Sequence, residues 1–329
     1  MNAAEILARF GDLRVLVLGD ICLDRWCWYD PAVAEKSAET GIPRTGVIRT
    51  VVTAGAGGTV ANNLAALGVG KVSVLGMVGE DGFAWELQRA LKSRGICGDL
   101  LIPHSGLCTF TYTKLINCAT DEEDLPRVDF INTQPMPVDA ERSLIAALEG
   151  AWSSVDVVMV SDQAETENGG VVTAVVRKRV LELAAQEPSK LVWVDSRKRP
   201  ELFRGVAIKP NRDEAEEACR RLFGTVDFAR LARESDARPL IVTHGERGAL
   251  VIDGRDGVEQ WAPTRRVTPV DICGAGDSFS AGAASALACG ASTLEAARFG
   301  NIVASITVTK KGTGTSSPAE VIAASVDVP

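Results

Sequence analysis

The residues with the clearest chemical potential lie in the segment 271–279, which reads Asp-Ile-Cys-Gly-Ala-Gly-Asp-Ser-Phe. An apolar run rich in small residues follows and predicts a helix over about 275–289. A glycine turn that opens a helix directs backbone N–H groups and the positive end of the helix dipole toward one point. The segment therefore predicts an anion-binding turn. It consists of Gly274, Ala275, Gly276 and Asp277.

Asp277 adds a carboxylate to that turn. A carboxylate is a poor ligand for phosphate, but beside an anion site it is well placed as a general base. The combination indicates transfer of a phosphoryl group to an alcohol. Aspartate in a first helical turn is also a common capping residue, so on this fragment alone a structural role stays open.

Composition excludes several classes of protein. The chain has 329 residues, 46% of them hydrophobic and 24% charged, which is ordinary for one globular domain or one domain with an appendage. The net charge of −8 argues against a nucleic-acid partner. No apolar run reaches the roughly 18 residues that a membrane span requires, so we expect no membrane partner either.

The eight cysteines form no Cys-x-x-Cys pair, and the chain has only two histidines. This pattern lacks the spacing of a zinc site. We therefore expect buried thiols in a reducing, cytoplasmic environment.

Apolar segments alternate with helical ones along most of the chain. Strands are predicted at 14–19, 71–78, 155–160, 191–195, 206–209 and 239–243, helices at 57–67, 81–94, 171–185, 213–223, 275–289 and 292–310, and a hairpin at 249–253 and 258–262. Strands that are apolar throughout and alternate with helices predict an α/β fold with a mostly parallel sheet covered on both faces.

Two regions depart from this pattern. The segment 45–53 is β-branched and alternates, and 109–116 alternates too, continued by 127–131. Such strands have one wet face, which fits a small separate sheet that acts as a lid; edge strands of the main sheet are the alternative.

We accordingly predict a single domain over residues 1–329, with lid strands inserted at about 42–54 and 107–132. Apolar residues of the lid need more cover than a small sheet provides, which predicts a homodimer through the lid or cover by the domain's own helices. These residues are Phe110, Tyr112, Leu115, Val47 and Val51.

Polar residues follow several predicted strands, and ligands of open α/β sheets bind at the carboxyl ends of strands. Asp24 follows the first strand and could accept hydrogen bonds from two neighbouring hydroxyls of a polyol, or cap a turn. Asn62 lies one turn inside a helix opened by the glycines of 55–58, and Asp162 follows the strand at 155–160.

The segment 209–214, Lys-Pro-Asn-Arg-Asp-Glu, follows another strand. Asn211 and Glu214 have the spacing of a capping box, and oxygen ligands of this kind could alternatively hold Mg²⁺ through its waters. The loops 243–248 and 310–314 carry glycines that permit close backbone approach to a ligand. No Walker A motif, complete dinucleotide fingerprint or protein-kinase motif set is present, so phosphoryl transfer would need another scaffold.

Taken together, these motifs resemble the PfkB/ribokinase-like family of small-molecule kinases over about 15–317. The segment 57–62 is similar to the family's N-terminal signature and 270–279 to its C-terminal signature. Asn211 and Glu214 are similar to its Mg²⁺–water motif, and the wet-faced strands to its lid. The resemblance implies a ribokinase-like three-layer α/β/α fold with a β-sheet lid.

The resemblance also implies residue roles. Asp277 would be the catalytic base, and the backbone N–H groups of 274–277 would form the anion hole. Substrate contacts are expected from Asp24, Gly58, Asn62 and Asp162, nucleotide contacts from Lys209, Asn211, Thr243, Gly245, Gly248 and Gly312, Mg²⁺ and its waters from Asn211 and Glu214, and a monovalent cation from Asp271, Cys273, Gly312 and Ser316.

Within the family, the chain is most similar in appearance to bacterial D-glycero-β-D-manno-heptose-7-phosphate kinase domains. The shared features are the segment 19–29, the strand 113–115 and the strand 127–130. This implies that Lys114 and Arg127 meet a substrate phosphate.

The sequence therefore predicts a kinase that uses ATP and Mg²⁺, with K⁺ as a further candidate cofactor, on a sugar or sugar phosphate. Cys273 replaces the threonine usual in relatives, Cys22 a polar residue and Thr59 a lysine, so the substrate stays open. Ribokinase, fructokinase or nucleoside-kinase activity, or a sugar- or nucleotide-binding module without catalysis, are the alternatives.

Overall fold

A computed structural model describes residues 1–164, 166, 169–253 and 257–326. In chain order its strands are β1 (Arg14–Gly19), β2 (Ile21–Tyr29), β3 (Glu35–Lys36), β4 (Pro43–Arg44), β5 (Val47–Ala56), β6 (Lys71–Gly79), β7 (Cys97–His104), β8 (Thr111–Asn117), β9 (Glu122–Glu123), β10 (Val128–Phe130), β11 (Val157–Asp162), β12 (Leu191–Ser196), β13 (Ala207–Ile208), β14 (Leu240–Thr243), β15 (Ala249–Ile252) and β16 (Glu259–Ala262). Its helices are α1 (Ala3–Leu7), α2 (Gly57–Ala66), α3 (Gly82–Ser93), α4 (Val138–Trp152), α5 (Ala174–Gln186), α6 (Arg212–Phe223), α7 (Phe228–Glu234), α8 (Ala275–Ala288), α9 (Thr293–Thr307) and α10 (Pro318–Ser325).

The main sheet has the order β16-β15-β14-β13-β12-β11-β1-β6-β7 within the described residues. Its strands from β13 to β7 run parallel to their neighbours, whereas β14–β15 and β15–β16 are antiparallel. The predicted mostly parallel sheet is therefore confirmed.

The alternating side chains of β1 explain the three layers. Val15 and Val17 are buried against α2, α8 and α9, and Leu16 and Leu18 are buried on the opposite face against α4 and α5. A strand buried on both faces is apolar at every position, which is the pattern of a parallel sheet between helices.

The lid is a second sheet with the order β10-β8-β2-β5, and β9 pairs with β8. Its strands pair with β2 and with one another rather than with the main sheet, so the edge-strand alternative is wrong. The central strand β2 was not among the predicted strands. Only Asp20 separates β2 from β1, and its mixed sequence lacks the regular alternation of its partners.

The two faces of the lid have different neighbours. One face lies over the carboxyl ends of the main-sheet strands, and the other packs against α3. On the α3 side the Arg25 guanidinium lies 5.1 Å from the ring centroid of Phe83, whose ring is 4.7 Å from that of Phe130. Helix α3 therefore covers part of the lid.

Short or amphipathic elements account for the other differences from the prediction. The prediction lacks β3, β4, β7, β9, α4, α7 and α10, and the helix expected at 292–310 ends at Thr307. The described part of the chain contains no helix with the length and apolarity of a bilayer span.

Candidate active site

The glycine turn at the start of α8 has the conformation of an anion site. Gly274 is the N-cap residue with φ of 79°, and it provides no side-chain cap for the first turn. A Cβ at this position would lie 3.1 Å from Cγ2 of Thr59, so both the backbone angle and the space favour glycine. The uncapped N-terminus leaves the turn able to bind an external anion.

Asp277 lies in this first turn and lines the cleft between lid and main sheet. Burial raises its pKa to about 8, and the nearby Asp195 carboxylate adds to the rise, while Lys209 and Arg197 oppose it. A carboxylate with a pKa near the working pH combines basicity with adequate ionisation, which is what a general base needs.

Lys209 and Asp195 form an ion pair beneath the turn. The Lys209 Nζ lies 3.0 Å from Oδ2 of Asp195, which also accepts a hydrogen bond from Oγ of Ser280 at 3.2 Å. Burial lowers the pKa of Lys209, but Asp195, Glu214 and Asp277 outweigh that effect and the net pKa is raised.

The structure places Lys209 beneath the anion turn and outside the cleft lining. Its side chain is 3% exposed, and Nζ would lie 3.4 Å from a Cβ at Gly276. Lys209 thus supports the anion turn from below and balances the charges around Asp277.

Removing Lys209 should destabilise the fold. Lys209→Met leaves Asp195 as an uncompensated buried charge, which typically costs about 3–5 kcal/mol. Urea unfolding at pH 7 measures the loss, and the double variant Lys209→Met/Asp195→Asn should recover part of it. If the free energy of unfolding of Lys209→Met lies within about 1 kcal/mol of the wild-type value, this account is wrong.

The cleft encloses about 290 Å³. The lid and the main domain both line it. The lining residues are Asp24, Arg25, Trp26, Ala56, Thr59, Phe110, Tyr112, Lys114, Arg127, Asp129, Ile131, Gln163, Ala164, Thr166, Arg197, Cys273, Gly274, Asp277 and Thr313. This size suits a small polar molecule beside the transferring group.

Strand register places the lid's polar residues on the cleft face. Asp24 of β2 is opposite Tyr112 of β8, which is opposite Asp129 of β10, and Lys114 is opposite Trp26 in the next row of that face. Residues two apart on a strand share a face. The side chains that face the cleft from the lid therefore include carboxylates, cations and aromatic rings.

Asp24 lies within β2, so the alternative that it caps a turn is wrong. A Cβ at Gly55 would lie 2.4 Å from its Oδ1, and glycine there lets the carboxylate lie against β5. Burial raises the pKa of Asp24 to about 6, an effect that Lys114 and Arg127 reduce and Asp129 reinforces.

Lys114 and Arg127 each have an acidic partner and still line the cleft. The Lys114 Nζ lies 3.6 Å from Oε2 of Glu123, and the Arg127 Nη2 lies 2.7 Å from Oδ2 of Asp129. The Arg127 guanidinium also lies 4.9 Å from the ring centroid of Tyr112. Two cations at the lid end of the cleft form a site suited to an anionic group.

Two residues expected to contact substrate lie outside the cleft lining. Asn62 is 2% exposed, and its Nδ2 donates to the carbonyl oxygen of Ala54 at 2.9 Å and to Oγ1 of Thr53 at 3.1 Å. A Cβ at Gly58 would lie 2.5 Å from that of Ala54. Both residues therefore dock α2 against the lid strand β5.

Asp162 is also placed away from the cleft. It has no exposed surface, accepts a hydrogen bond from Oγ of Ser196 at 2.6 Å, and pairs with Nη2 of Arg199 at 2.8 Å. These contacts hold the turn after β12, which is a structural role in place of the expected substrate contact.

Asn211 and Glu214 form the capping box of α6. Oδ1 of Asn211 accepts from the Glu214 N–H at 2.9 Å, and Oε2 of Glu214 accepts from the Asn211 N–H at 2.7 Å. Burial raises the pKa of Glu214 in spite of the opposing charge of Lys209. Carboxylate and amide oxygens are donors that Mg²⁺ prefers, but the described residues contain no cluster of three or more His, Cys, Asp or Glu side chains able to hold a metal, so any ion here would be bound through its waters.

Several of the residues expected to contact the nucleotide lie around the end of β14. Thr243 forms a bridge with Asn211, and the loop after it contains Gly245 with φ of 58° and Gly248 with φ of 105°. A Cβ at Gly248 would lie 2.2 Å from the carbonyl oxygen of Ala262, so packing against β16 also requires glycine there.

The expected cation residues link two loops. Asp271 accepts hydrogen bonds from the N–H groups of Cys273 at 2.9 Å and Gly312 at 3.1 Å. Ser316 has no exposed surface, and within the described residues its Oγ lacks a hydrogen-bond partner. A buried hydroxyl oxygen without a donor fits a cation ligand.

Sequence reasoning missed several cleft residues. Tyr112 and Asp129 could have been found from their two-residue spacing to Lys114 and Arg127. Arg197 follows β12 and reaches the cleft only through the fold, so no local pattern marks it.

The chain is similar to known proteins over most of its length. The profile described as pfkB family carbohydrate kinase matches residues 15–320. The Bifunctional protein HldE of Trichlorobacter lovleyi is 32% identical over 328 residues, covering 97% of this chain and 64% of the relative. That of Rhodopseudomonas palustris is 32% identical over 321 residues, covering 95% and 63%. The chain thus spans less than two thirds of these curated relatives.

Solved structures share the fold. Ribokinase from Thermotoga maritima superposes with a TM-score of 0.68 at 23% identity, covering 95% of this chain and 99% of that one. Phosphofructokinase-2 from Escherichia coli in complex with potassium gives a TM-score of 0.69 at 18% identity, covering 95% and 98%. With a profile match over nearly its whole length, the chain belongs to the pfkB family of carbohydrate kinases.

Proposed function

We propose that this protein transfers the γ-phosphate of ATP to a hydroxyl of a sugar phosphate. The observation that carries the proposal is one cleft with two chemically different ends. One end has the uncapped α8 turn with Asp277, and the other has Asp24 with Lys114 and Arg127. A base beside an anion site serves phosphoryl transfer, and paired cations serve a substrate that already carries a phosphate.

In the proposed reaction Asp277 accepts the proton of the substrate hydroxyl as its oxygen attacks the γ-phosphorus. An oxygen–phosphorus bond forms, the bond between the γ-phosphorus and the β–γ bridging oxygen breaks, and ADP leaves. N–H groups of 274–277 stabilise the charge on the transferring group. Asp24 accepts hydrogen bonds from neighbouring sugar hydroxyls and thereby orients the attacking one.

Asn211 and Glu214 would hold Mg²⁺ through its waters. The ion would supply positive charge that neutralises the β- and γ-phosphates. Thr243, Gly245, Gly248 and Gly312 would line the nucleotide.

The proposal is tested by ADP release from Mg-ATP in the presence of heptose phosphates, hexose phosphates, free sugars and nucleosides. Turnover on a sugar phosphate that exceeds turnover on the free sugar supports it. Preferred turnover of a free sugar or a nucleoside would assign another activity of the family. Tight ATP binding without turnover on any of these compounds would indicate a binding module.

We also propose that K⁺ occupies the site formed by Asp271, Cys273, Gly312 and Ser316. Turnover should be faster in potassium chloride than in tetramethylammonium chloride at equal ionic strength. Ser316→Ala removes the unpartnered hydroxyl and should raise the potassium concentration for half-maximal rate by roughly tenfold, equivalent to about 1.4 kcal/mol. Equal rates in the two salts would rule out the site.

We further propose that the protein works as a cytoplasmic homodimer joined through the lid. Val47, Ile48 and Val51 of β5 are 46%, 60% and 39% exposed, and β5 is the edge strand of the lid sheet. Phe110 and Tyr112 line the cleft instead and are not available to a partner. Sedimentation velocity of Ile48→Glu beside wild type tests this; a wild-type monomer at micromolar concentration would contradict it.

A further inference from the structure

Arg197 is a cation of the cleft that belongs to the main domain rather than the lid. It directly follows β12, and its backbone N–H donates to the carbonyl oxygen of Asp162 at 3.0 Å. The residue lines the cleft together with Gly274 and Asp277. A short anchored turn at the carboxyl edge of the sheet therefore places Arg197 in the lining of the cleft that also contains the anion turn.

The cations of the cleft fall into two groups. Lys114 and Arg127 project from the lid and act on the carboxylate of Asp24, lowering the pKa that burial raises. Arg197 opposes the burial-driven rise in the pKa of Asp277 and of Glu214, and it acts in the same direction on Tyr112 and Cys22 of the lid. Its charge therefore acts on the base and on the candidate Mg²⁺ residue, where the transferring group would lie.

The reaction creates a need for such a cation. During transfer the negative charge spreads over the equatorial oxygens of the phosphoryl group. Backbone N–H groups contribute only partial charges, whereas a guanidinium contributes a full charge and two parallel donors that match two phosphoryl oxygens. An arginine guanidinium is not deprotonated in proteins, so such a residue adds no proton transfer to the reaction.

We propose that Arg197 is a catalytic residue that contacts the transferring phosphoryl group and stabilises its charge in the transition state. This inference rests on the proposed function, because it assigns a role within phosphoryl transfer. It differs from the role of Lys114 and Arg127, which would hold the phosphate that the substrate already carries.

Steady-state kinetics separate the two roles. Arg197→Ala should lower kcat by roughly 10³-fold, the scale of an arginine supplied to a phosphoryl-transfer site. The KM for the sugar phosphate should change by less than about threefold, because a contact made mainly in the transition state contributes little to ground-state binding. Arg197→Lys should recover part of kcat, and methylguanidine should partly restore turnover of Arg197→Ala.

Two results would overturn the proposal. One is a kcat of Arg197→Ala within about tenfold of wild type. The other is a raised KM for the sugar phosphate at unchanged kcat, which would place Arg197 on the substrate's own phosphate. Circular dichroism and thermal unfolding show whether Arg197→Ala and Arg197→Lys are folded. If one of them does not fold, the kinetic test uses the variant that does.

A binding measurement tests the same contact without knowledge of the substrate. Calorimetry compares MgADP alone with MgADP plus aluminium fluoride, a mimic of the transferring group. Wild type should bind the mimic more tightly than MgADP alone. The Arg197→Ala variant should bind the mimic about 100-fold more weakly than wild type does, while its affinity for MgADP stays unchanged. An equal loss for both ligands contradicts the inference, whereas a wild-type protein that binds no nucleotide contradicts the proposed function itself.

Discussion

Asp277→Asn is expected to lower kcat by about 10²–10⁴-fold, because a positioned general base contributes on that scale. Asparagine keeps the shape of the side chain in the first turn of α8 and loses only its ability to take a proton. The KM for the sugar phosphate and the affinity for MgADP should stay close to wild type. The measurement is steady-state ADP release with calorimetry of nucleotide binding.

A matched control is Asp213→Asn, which changes another first-turn aspartate that is exposed on α6. It should leave kcat within about twofold of wild type, since surface substitutions have small effects. A kcat of Asp277→Asn within about tenfold of wild type would remove the base from the proposed reaction.

The raised pKa of Asp277 also predicts a pH profile. The base must be ionised to accept a proton, so kcat/KM should rise with pH and level off near pH 8. Asp277→Asn should lose this limb. A wild-type profile that is flat from pH 6 to 9 would contradict the assignment.

The free energy of unfolding should fall as the pH rises, whereas kcat/KM rises. The pKa of Asp277 is about 8 in the folded protein and 3.8 as a reference, so the folded state binds the proton more tightly. Ionisation of Asp277 therefore destabilises the fold progressively as the pH rises from about 4 to 8. Asp277→Asn avoids that cost, and its unfolding free energy should exceed that of wild type at pH 9, with the difference shrinking toward pH 4.

The second large effect is expected for Lys114→Ala/Arg127→Ala. Each lost charged hydrogen bond to a phosphate is worth about 1.5–3 kcal/mol, so the KM for the sugar phosphate should rise at least about 100-fold. kcat should change little, because the substrate's own phosphate is bound equally in the ground and transition states. Kinetics on the sugar phosphate and the corresponding free sugar measure this.

The free sugar is the internal control, since its KM should be nearly unaffected by the double variant. Arg44→Ala changes an exposed arginine of β4, outside the lid sheet, that pairs with Glu35 of β3 and should behave as wild type. The same double variant should raise the pKa of Asp24, because Lys114 and Arg127 both lower it. If the KM for the sugar phosphate stays unchanged, the substrate phosphate does not bind at this pair.

Much of the fold could be predicted because it rests on local patterns. Continuous apolar strands such as β1 indicate the parallel sheet. The alternation of polar and apolar residues in β8 indicates a sheet with one solvent-exposed face. The capping-box spacing of Asn211 and Glu214 and the glycine turn before α8 are also local, since each motif is satisfied by neighbouring backbone groups.

Burial and long-range proximity were not predictable in this way. β2 became the centre of the lid because β5 and β8 pair with it from distant parts of the chain. Asn62 and Asp162 have polar side chains at predicted strand or helix ends, yet packing turns both inward to hydrogen-bond with protein groups. A polar residue near a site and a polar residue that supports it look alike in sequence.

By itself, the sequence of this protein determined the sheet, the lid strands β5 and β8 and the anion turn with its aspartate, because each depends on side-chain periodicity or on a few adjacent backbone groups. Only the tertiary structure decided which charges meet in the cleft. Arg197 and Lys209 lie far from Asp277 in sequence, and their electrostatic coupling to it depends on distance and burial rather than on order along the chain.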